Sequence, residues 1–125
     1  MKKNLVVKKA FNQAFQNHQK NNLKVAEDLY KEILKIRPNH FESIFYLGAL
    51  SAQTKKFNLA KQLFKKAVLI QPNYAEAHNN LGTVLQKLEE YEEAASCCEK
   101  AIQIQPNYAV AHNNLGAVLK YFVYY

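Results

Sequence analysis

The 125 residues hold no tryptophan, one methionine, two cysteines, three glycines and three prolines. So little glycine and proline excludes a collagen-like or linker-like chain, and it fits poorly with the turn-dense strands of a sandwich or barrel. The cysteines are neighbours, Cys97 and Cys98, so they cannot tie distant segments together, and a bond between them would be strained. They read as free thiols of a reducing compartment, which places the chain in the cytoplasm. No Cys-x-x-Cys or Cys/His cluster suggests zinc. The apolar part of the N-terminus, Leu5-Val6-Val7, is too short for a secretory signal, and no apolar run approaches the roughly 18 residues of a membrane span. A glycine-rich phosphate loop, a Gly-x-Ser-x-Gly elbow and a His-Glu-x-x-His helix are all missing. The chain therefore reads as non-catalytic, with no cofactor and no metal.

What remains is ordinary globular composition, 49% hydrophobic and 22% charged, with a net charge of +7. That charge is polarised. Residues 1–40 carry 9 basic and 3 acidic groups, and residues 41–74 carry 5 and 1. Residues 75–108 reverse the balance, with 2 and 6. A basic half favours contact with nucleic acid or another anionic surface. A solvated, lysine-rich helical surface is the plainer reading, and nucleic acid stays a minor alternative.

The prolines organise everything else. Pro38, Pro72 and Pro106 stand 34 residues apart. The same step aligns Ala26, Ala60 and Ala94; Ile36, Ile70 and Ile104; and Asn39, Asn73 and Asn107. It also aligns Leu47-Gly48, Leu81-Gly82 and Leu115-Gly116. A fixed period of this size means a stacked repeat. Each unit reads as two helices. Asn73 is expected to cap the first of them, with Glu76 completing a capping box, and Asn39 with Glu42 repeats the arrangement. That first helix runs to about Lys87. The second carries Tyr91, Ala94, Ala95, Cys98, Ala101, Ile102 and Ile104 as an apolar stripe, and Pro106 ends it. A mid-helix glycine costs about 1 kcal/mol relative to alanine, so a close contact is expected to offset that cost at Gly48, Gly82 and Gly116.

The period, the Leu-Gly pair, the aromatic-then-alanine start of the second helix (Phe57 with Ala60, Tyr91 with Ala94) and the closing proline together resemble the tetratricopeptide repeat family. The resemblance covers units 7–40, 41–74 and 75–108 and a partial unit 109–125, in one array spanning 1–125. It implies an all-α fold, an α-α superhelix of about three and a half helix-turn-helix repeats. The first unit departs from the pattern with Gln13-Ala14, and Cys98 stands where Tyr30 and Phe64 stand in the other units.

The resemblance also implies a concave groove lined by four positions of each first helix, spaced to share one face. These are Lys8, Phe11, Asn12 and Phe15; Glu42, Phe45, Tyr46 and Ala49; Glu76, Asn79, Asn80 and Thr83; and Val110, Asn113, Asn114 and Ala117. Asn12, Asn80 and Asn114 are equivalent, and a carboxamide can pair with both the N–H and the C=O of a peptide unit. Such a row looks like the asparagine ladder of arrays fused to O-linked N-acetylglucosamine transferases, although Tyr46 interrupts it. Plain solubility of the repeat consensus explains the asparagines equally well. Phe11, Phe15, Phe45 and Tyr46 form an aromatic group that reads either as an apolar anchor site or as packing. A clamp for acidic C-termini is disfavoured, because Lys8 is the one groove cation and most lysines fall on second helices or turns. His78 and His112 read as repeated consensus rather than as a zinc pair, and His18 and His40 have no evident partner.

The expected function is a protein-interaction scaffold that holds an extended peptide through Asn12, Phe45, Tyr46, Asn79, Asn80, Thr83, Asn113 and Asn114. Two expectations concern the ends. The chain stops at Tyr121-Phe122-Val123-Tyr124-Tyr125, where a polar capping helix is usual. A fragment of a longer array is the preferred explanation, and burial of this aromatic end by self-association is the other. The opening unit looks like the start of bacterial proteins in which such an array precedes a glycosyltransferase- or sulfotransferase-type domain. A substrate-recruiting role in a larger enzyme is therefore the alternative function.

Overall fold

A computed structural model describes residues 2–125. These residues form seven α-helices: α1 (Lys2–Gln19), α2 (Leu23–Ile36), α3 (Phe41–Gln53), α4 (Phe57–Ile70), α5 (Ala75–Lys87), α6 (Tyr91–Ile104) and α7 (Ala109–Tyr124). Helices α1, α3 and α5 each pack on the even helix that follows, each hairpin packs on the next, and α7 packs on α6. The odd helices also touch one another in series, α1 on α3, α3 on α5 and α5 on α7. They form one layer of a helical-repeat superhelix, with α2, α4 and α6 as the other.

The 34-residue step recurs in the packing. Ala26, Ala60 and Ala94 are fully buried, and their small side chains let the two helices of a hairpin approach closely. Tyr30, Phe64 and Cys98 sit at equivalent buried positions and fill the space beneath the first helix. Leu50, Val84 and Val118 supply the matching contacts from the first-helix side. A β-carbon at Gly82 would lie 2.9 Å from Cys98 Sγ and 3.3 Å from the Ala94 carbonyl oxygen. One at Gly48 would lie 3.0 Å from the Phe64 ring, whereas at Gly116 it would meet nothing within 4 Å. The close contact expected at every glycine is therefore present at Gly48 and Gly82 and missing at Gly116.

The turn inside each hairpin has a common shape. Asn21, Lys55 and Glu89 adopt left-handed φ values of 65°, 64° and 62°. The turn between hairpins follows the proline. The second helices end at Ile36, Ile70 and Ile104, two residues before each proline, because the residue before proline is forced toward an extended conformation. Gln105 there has φ −133° and ψ 90°.

The capping expectation needs correction. The residue before α5 is Tyr74, not Asn73, and its side chain makes no capping bond. Before α3 the cap is His40, whose Nδ1 accepts the Ser43 N–H at 3.3 Å. Nδ1 is therefore unprotonated, so the Ser43 hydroxyl donates to it as well, at 2.8 Å. His18 also has partners, with Tyr30 Oη 3.1 Å from Nδ1 and Gln53 Oε1 3.2 Å from Nε2. His78 and His112 close the inter-hairpin turns, each donating from Nε2 to a proline carbonyl, Pro72 at 2.8 Å and Pro106 at 2.7 Å. All four histidines thus have local structural work.

Lysines of the second layer tie the repeats together. Lys61 Nζ lies 2.8 Å from Glu90, and Lys65 lies 3.3 Å from Glu93. Both pairs join the basic second unit to the acidic third. Lys56 reaches back to the buried Glu27 at 3.2 Å, and Lys24 and Lys31 approach the same carboxylate at 3.4 and 3.7 Å. Burial alone would push the Glu27 carboxyl up, but the three ammonium groups outweigh it and hold it below its usual range.

Candidate binding groove

The layer built by α1, α3, α5 and α7 is the one expected to form the groove, and the residues expected on it divide into three groups. Asn12, Asn113 and Glu76 are exposed, and Tyr46, Ala49, Asn80, Thr83 and Asn114 are half-buried in the groove wall. Phe45 and Asn79 are not available to a ligand. Phe45 is 2% exposed and packs edge-on against Phe64 at 5.8 Å and Tyr74 at 5.4 Å. Asn79 is 3% exposed and sits under α7. The physical reason is the same for both. The second position of each set points at the next first helix, so it becomes an inter-repeat contact wherever that helix follows. Asn113, at the same position on α7, is exposed.

The asparagine row is interrupted twice. Tyr46 stands at the equivalent position on α3, half-buried, with its ring 5.0 Å from Phe15, 5.1 Å from Phe45 and 6.0 Å from Phe11. Asn114 is turned inward. Its Nδ2 donates to Asn79 Oδ1 at 2.9 Å and to Thr83 Oγ1 at 3.0 Å. The Thr83 hydroxyl donates in turn to the Asn79 carbonyl at 3.1 Å. This network joins α5 to α7 and uses both Nδ2 hydrogens of Asn114. Among the described residues, the Asn80 carboxamide makes no such bond and faces the groove with both its donor and its acceptor.

Phe11 and Phe15 stack on each other at 6.0 Å, and Phe11 also contacts Tyr30 and His40. They are half-buried, so this aromatic group both packs the first hairpin and forms the groove wall at the α1 end. A recess of about 380 Å³ opens beside it, lined by Asn4, Lys8, Phe11, Asn12, Arg37 and Glu42 among others.

Toward the middle the groove turns acidic. The Tyr46 and Tyr74 hydroxyls are pushed up first by burial and then by the carboxylates of Glu76 and Glu42. Tyr108 is raised by burial and by Glu76, with a hydrogen bond from Asn79 working the other way. A second recess, of about 210 Å³, lies between α3 and α5 and is lined by Ala49, Ala52, Phe64, Asn80, Thr83 and Val84. Sequence reasoning named Ala49, Asn80 and Thr83 separately and missed the hollow they share. Two alanines one turn apart on α3, facing a buried Phe64 ring, were the available signal.

The aromatic end of α7 lies apart from the groove. Tyr121 stacks on Tyr91 at 3.7 Å, and Phe122, Val123, Tyr124 and Tyr125 are exposed. No described helix is long and apolar enough to cross a membrane.

Comparisons with known proteins agree with this geometry. Two family models, each described as tetratricopeptide repeat, match residues 42–74 and 75–108. Between them they cover more than half of the chain. A comparison with curated proteins found no match. Among solved structures, an O-GlcNAc transferase from Thermobaculum terrenum superposes with a TM-score of 0.87 at 26% identity, over 95% of this chain and 23% of that one. The protein MamA superposes with a TM-score of 0.88 at 27% identity, over 93% of this chain and 63% of its own. The first tetratricopeptide domain of Spaghetti (RPAP3), solved with an HSP90 peptide, gives 0.90 at 20% identity, a likeness of fold, over 94% of this chain and 93% of that one. The chain thus spans under a quarter of the transferase and less than two thirds of MamA.

Proposed function

The chain belongs to the tetratricopeptide repeat family, and we propose that its concave face holds an extended peptide segment of a protein partner without catalysing any change in it. Proteins of this fold generally serve as interaction scaffolds, and one solved neighbour, the Spaghetti (RPAP3) domain, holds an HSP90 peptide. The observation that carries the finer reading is Asn80. It is a carboxamide in the wall of a groove, with donor and acceptor both unspent, flanked by the apolar recess of α3 and α5. It would pair with one peptide unit of the ligand, and Asn12 would add a second contact at the α1 end. Asn114 contributes less, because binding through it requires giving up two internal bonds. The cytoplasm suits a chain whose two thiols are free.

The test compares single variants. Asn80→Ala should weaken a bound peptide about tenfold, the loss of two net hydrogen bonds of roughly 0.5–1.5 kcal/mol each, with helicity unchanged. Asn114→Ala should act mainly on thermal stability. Unchanged affinity in Asn80→Ala would reject the reading.

Two further proposals rest on narrower ground. The exposed Phe122, Val123, Tyr124 and Tyr125 favour self-association, which sedimentation over a concentration series would reveal and a strict monomer would refute. The superposition on a transferase favours substrate recruitment by a larger enzyme, which a downstream reading frame encoding a catalytic domain would support. Nucleic-acid binding is weakened by Lys56, Lys61 and Lys65 being engaged with carboxylates.

A further inference from the structure

We propose that the recess between α3 and α5 selects an aliphatic side chain flanked by lysine or arginine, so that the groove takes a basic-apolar peptide although the protein itself is basic. The inference rests on the groove reading above and specifies its ligand.

The recess is the first support. At about 210 Å³ it holds the equivalent of roughly seven water molecules, each with a share of about 30 Å³. That is below the span of drug-sized pockets, about 300–1,000 Å³, and matches one side chain. Its floor and walls are Ala49, Ala52, Phe64 and Val84, with no charged group among its lining residues. Its polar groups are Asn80 and Thr83. The Thr83 hydroxyl is already bonded to Asn79 and Asn114, which leaves Asn80 to meet the ligand's backbone. An aliphatic side chain fits this chemistry, and a charged or strongly polar one would lose its hydration without a partner.

Charge is the second support. The groove positions of α3 and α5 nearest the inter-hairpin turns are Glu42 and Glu76, both exposed. They stand at equivalent positions of two helices that touch, so they share one stretch of groove, and both carboxylates act on the Tyr46 and Tyr74 hydroxyls. Glu42 lies 3.5 Å from His40 Nε2, and Lys8 and Arg37 border its far side in the α1 recess. No lysine or arginine occupies a groove position of α3, α5 or α7. The lysines of the second unit are turned to the other layer and are partly consumed there by Glu27, Glu90 and Glu93. From Glu76 to Thr83 is seven residues, about 10.5 Å along a helix at 1.5 Å per residue. An extended ligand covers that distance in about three residues. A cation and an aliphatic group within that separation can therefore engage the carboxylates and the recess together.

The experiment is a synthetic array of end-blocked nonapeptides probed with the labelled full chain. The central residue is leucine, valine, phenylalanine or serine, and the residues one to three positions to either side are lysine, arginine, glutamate or serine. Peptides with leucine or valine beside lysine or arginine should be retained best. Ala49→Leu, which fills the recess, should lower their affinity about tenfold or more. Glu42→Gln with Glu76→Gln should lower it about threefold for basic peptides and leave serine-flanked ones unchanged. The glutamate pair is exposed, so it carries the test alone if Ala49→Leu does not fold. Retention that depends on Asn80 but prefers acidic or serine flanks would overturn this inference and leave the groove reading standing. Retention of no peptide, or retention indifferent to Asn80→Ala, would overturn the groove reading and this inference with it.

Discussion

Replacing each repeat glycine by alanine separates helix propensity from packing. Propensity alone favours alanine by about 1 kcal/mol at Gly48, Gly82 and Gly116. At Gly82 the new methyl would sit 2.9 Å from Cys98 Sγ and 3.3 Å from the Ala94 carbonyl. The thiol is fully buried and the carbonyl belongs to the α6 backbone, so neither can yield without moving a helix. Overpacking of this kind costs about 1–3 kcal/mol, and Gly82→Ala should be net destabilising by about 1 kcal/mol. Gly48→Ala meets the Phe64 ring at 3.0 Å, and Phe64 is 1% exposed, so the sign should be the same. Gly116→Ala meets nothing within 4 Å and should stabilise α7 by up to about 1 kcal/mol. The assay is urea denaturation followed by circular dichroism, with the slope checked because repeat arrays need not unfold in one step. Adding Cys98→Ala to Gly82→Ala removes the nearer clash, and a favourable coupling of about 0.5–1 kcal/mol should appear. Equal cost at Gly82 and Gly116, or a stabilised Gly82→Ala, would refute the reasoning.

Further outcomes follow from the same contacts. Glu27 has a carboxyl held below its usual range, so its contribution is fully present above about pH 4.5 and is lost as pH falls through its folded value. Glu27→Gln should cost about 1–2 kcal/mol at pH 7 and flatten the acid limb of a stability profile, whereas an unchanged acid limb would contradict the lysine cluster. Lys55→Gly and Glu89→Gly relieve left-handed backbone at φ 64° and 62° and should each stabilise by about 0.5–1 kcal/mol, with Lys55→Ala as the neutral control in thermal melts. Burial pushes the Cys97 thiol up to about 11, and Cys98 is also raised by burial. Both should react slowly with a thiol reagent at pH 8 and quickly once urea unfolds the chain, and rapid labelling of native protein would refute that burial.

The fold was legible because a 34-residue step repeats every constraint three times, so proline, glycine and alanine could each be checked against its own copies. The helix starts were less so. Asn73 has the right chemistry for a cap, but the Pro72 carbonyl is taken by His78 Nε2 and the Gln71 carbonyl by the Tyr74 N–H. That turn moves the helix start one residue on and leaves Tyr74 to pack on Phe41 and Phe45. In the groove, helical spacing identifies a shared face but not how far the next repeat rolls over it. Phe45 and Asn79 were therefore expected at the surface and lie beneath it, while the spare bonding capacity of Asn80 and the inward turn of Asn114 emerge only when α5 and α7 are side by side.

The central claim concerns which face of the superhelix meets a partner, and nuclear magnetic resonance answers that residue by residue. Titrating the isotope-labelled chain with a peptide retained on the array should shift the Asn80 side-chain amide and the backbone amides of Ala49, Ala52 and Thr83 first. Shifts confined to α4 and α6, with the Asn80 amide unmoved at saturation, would contradict the account.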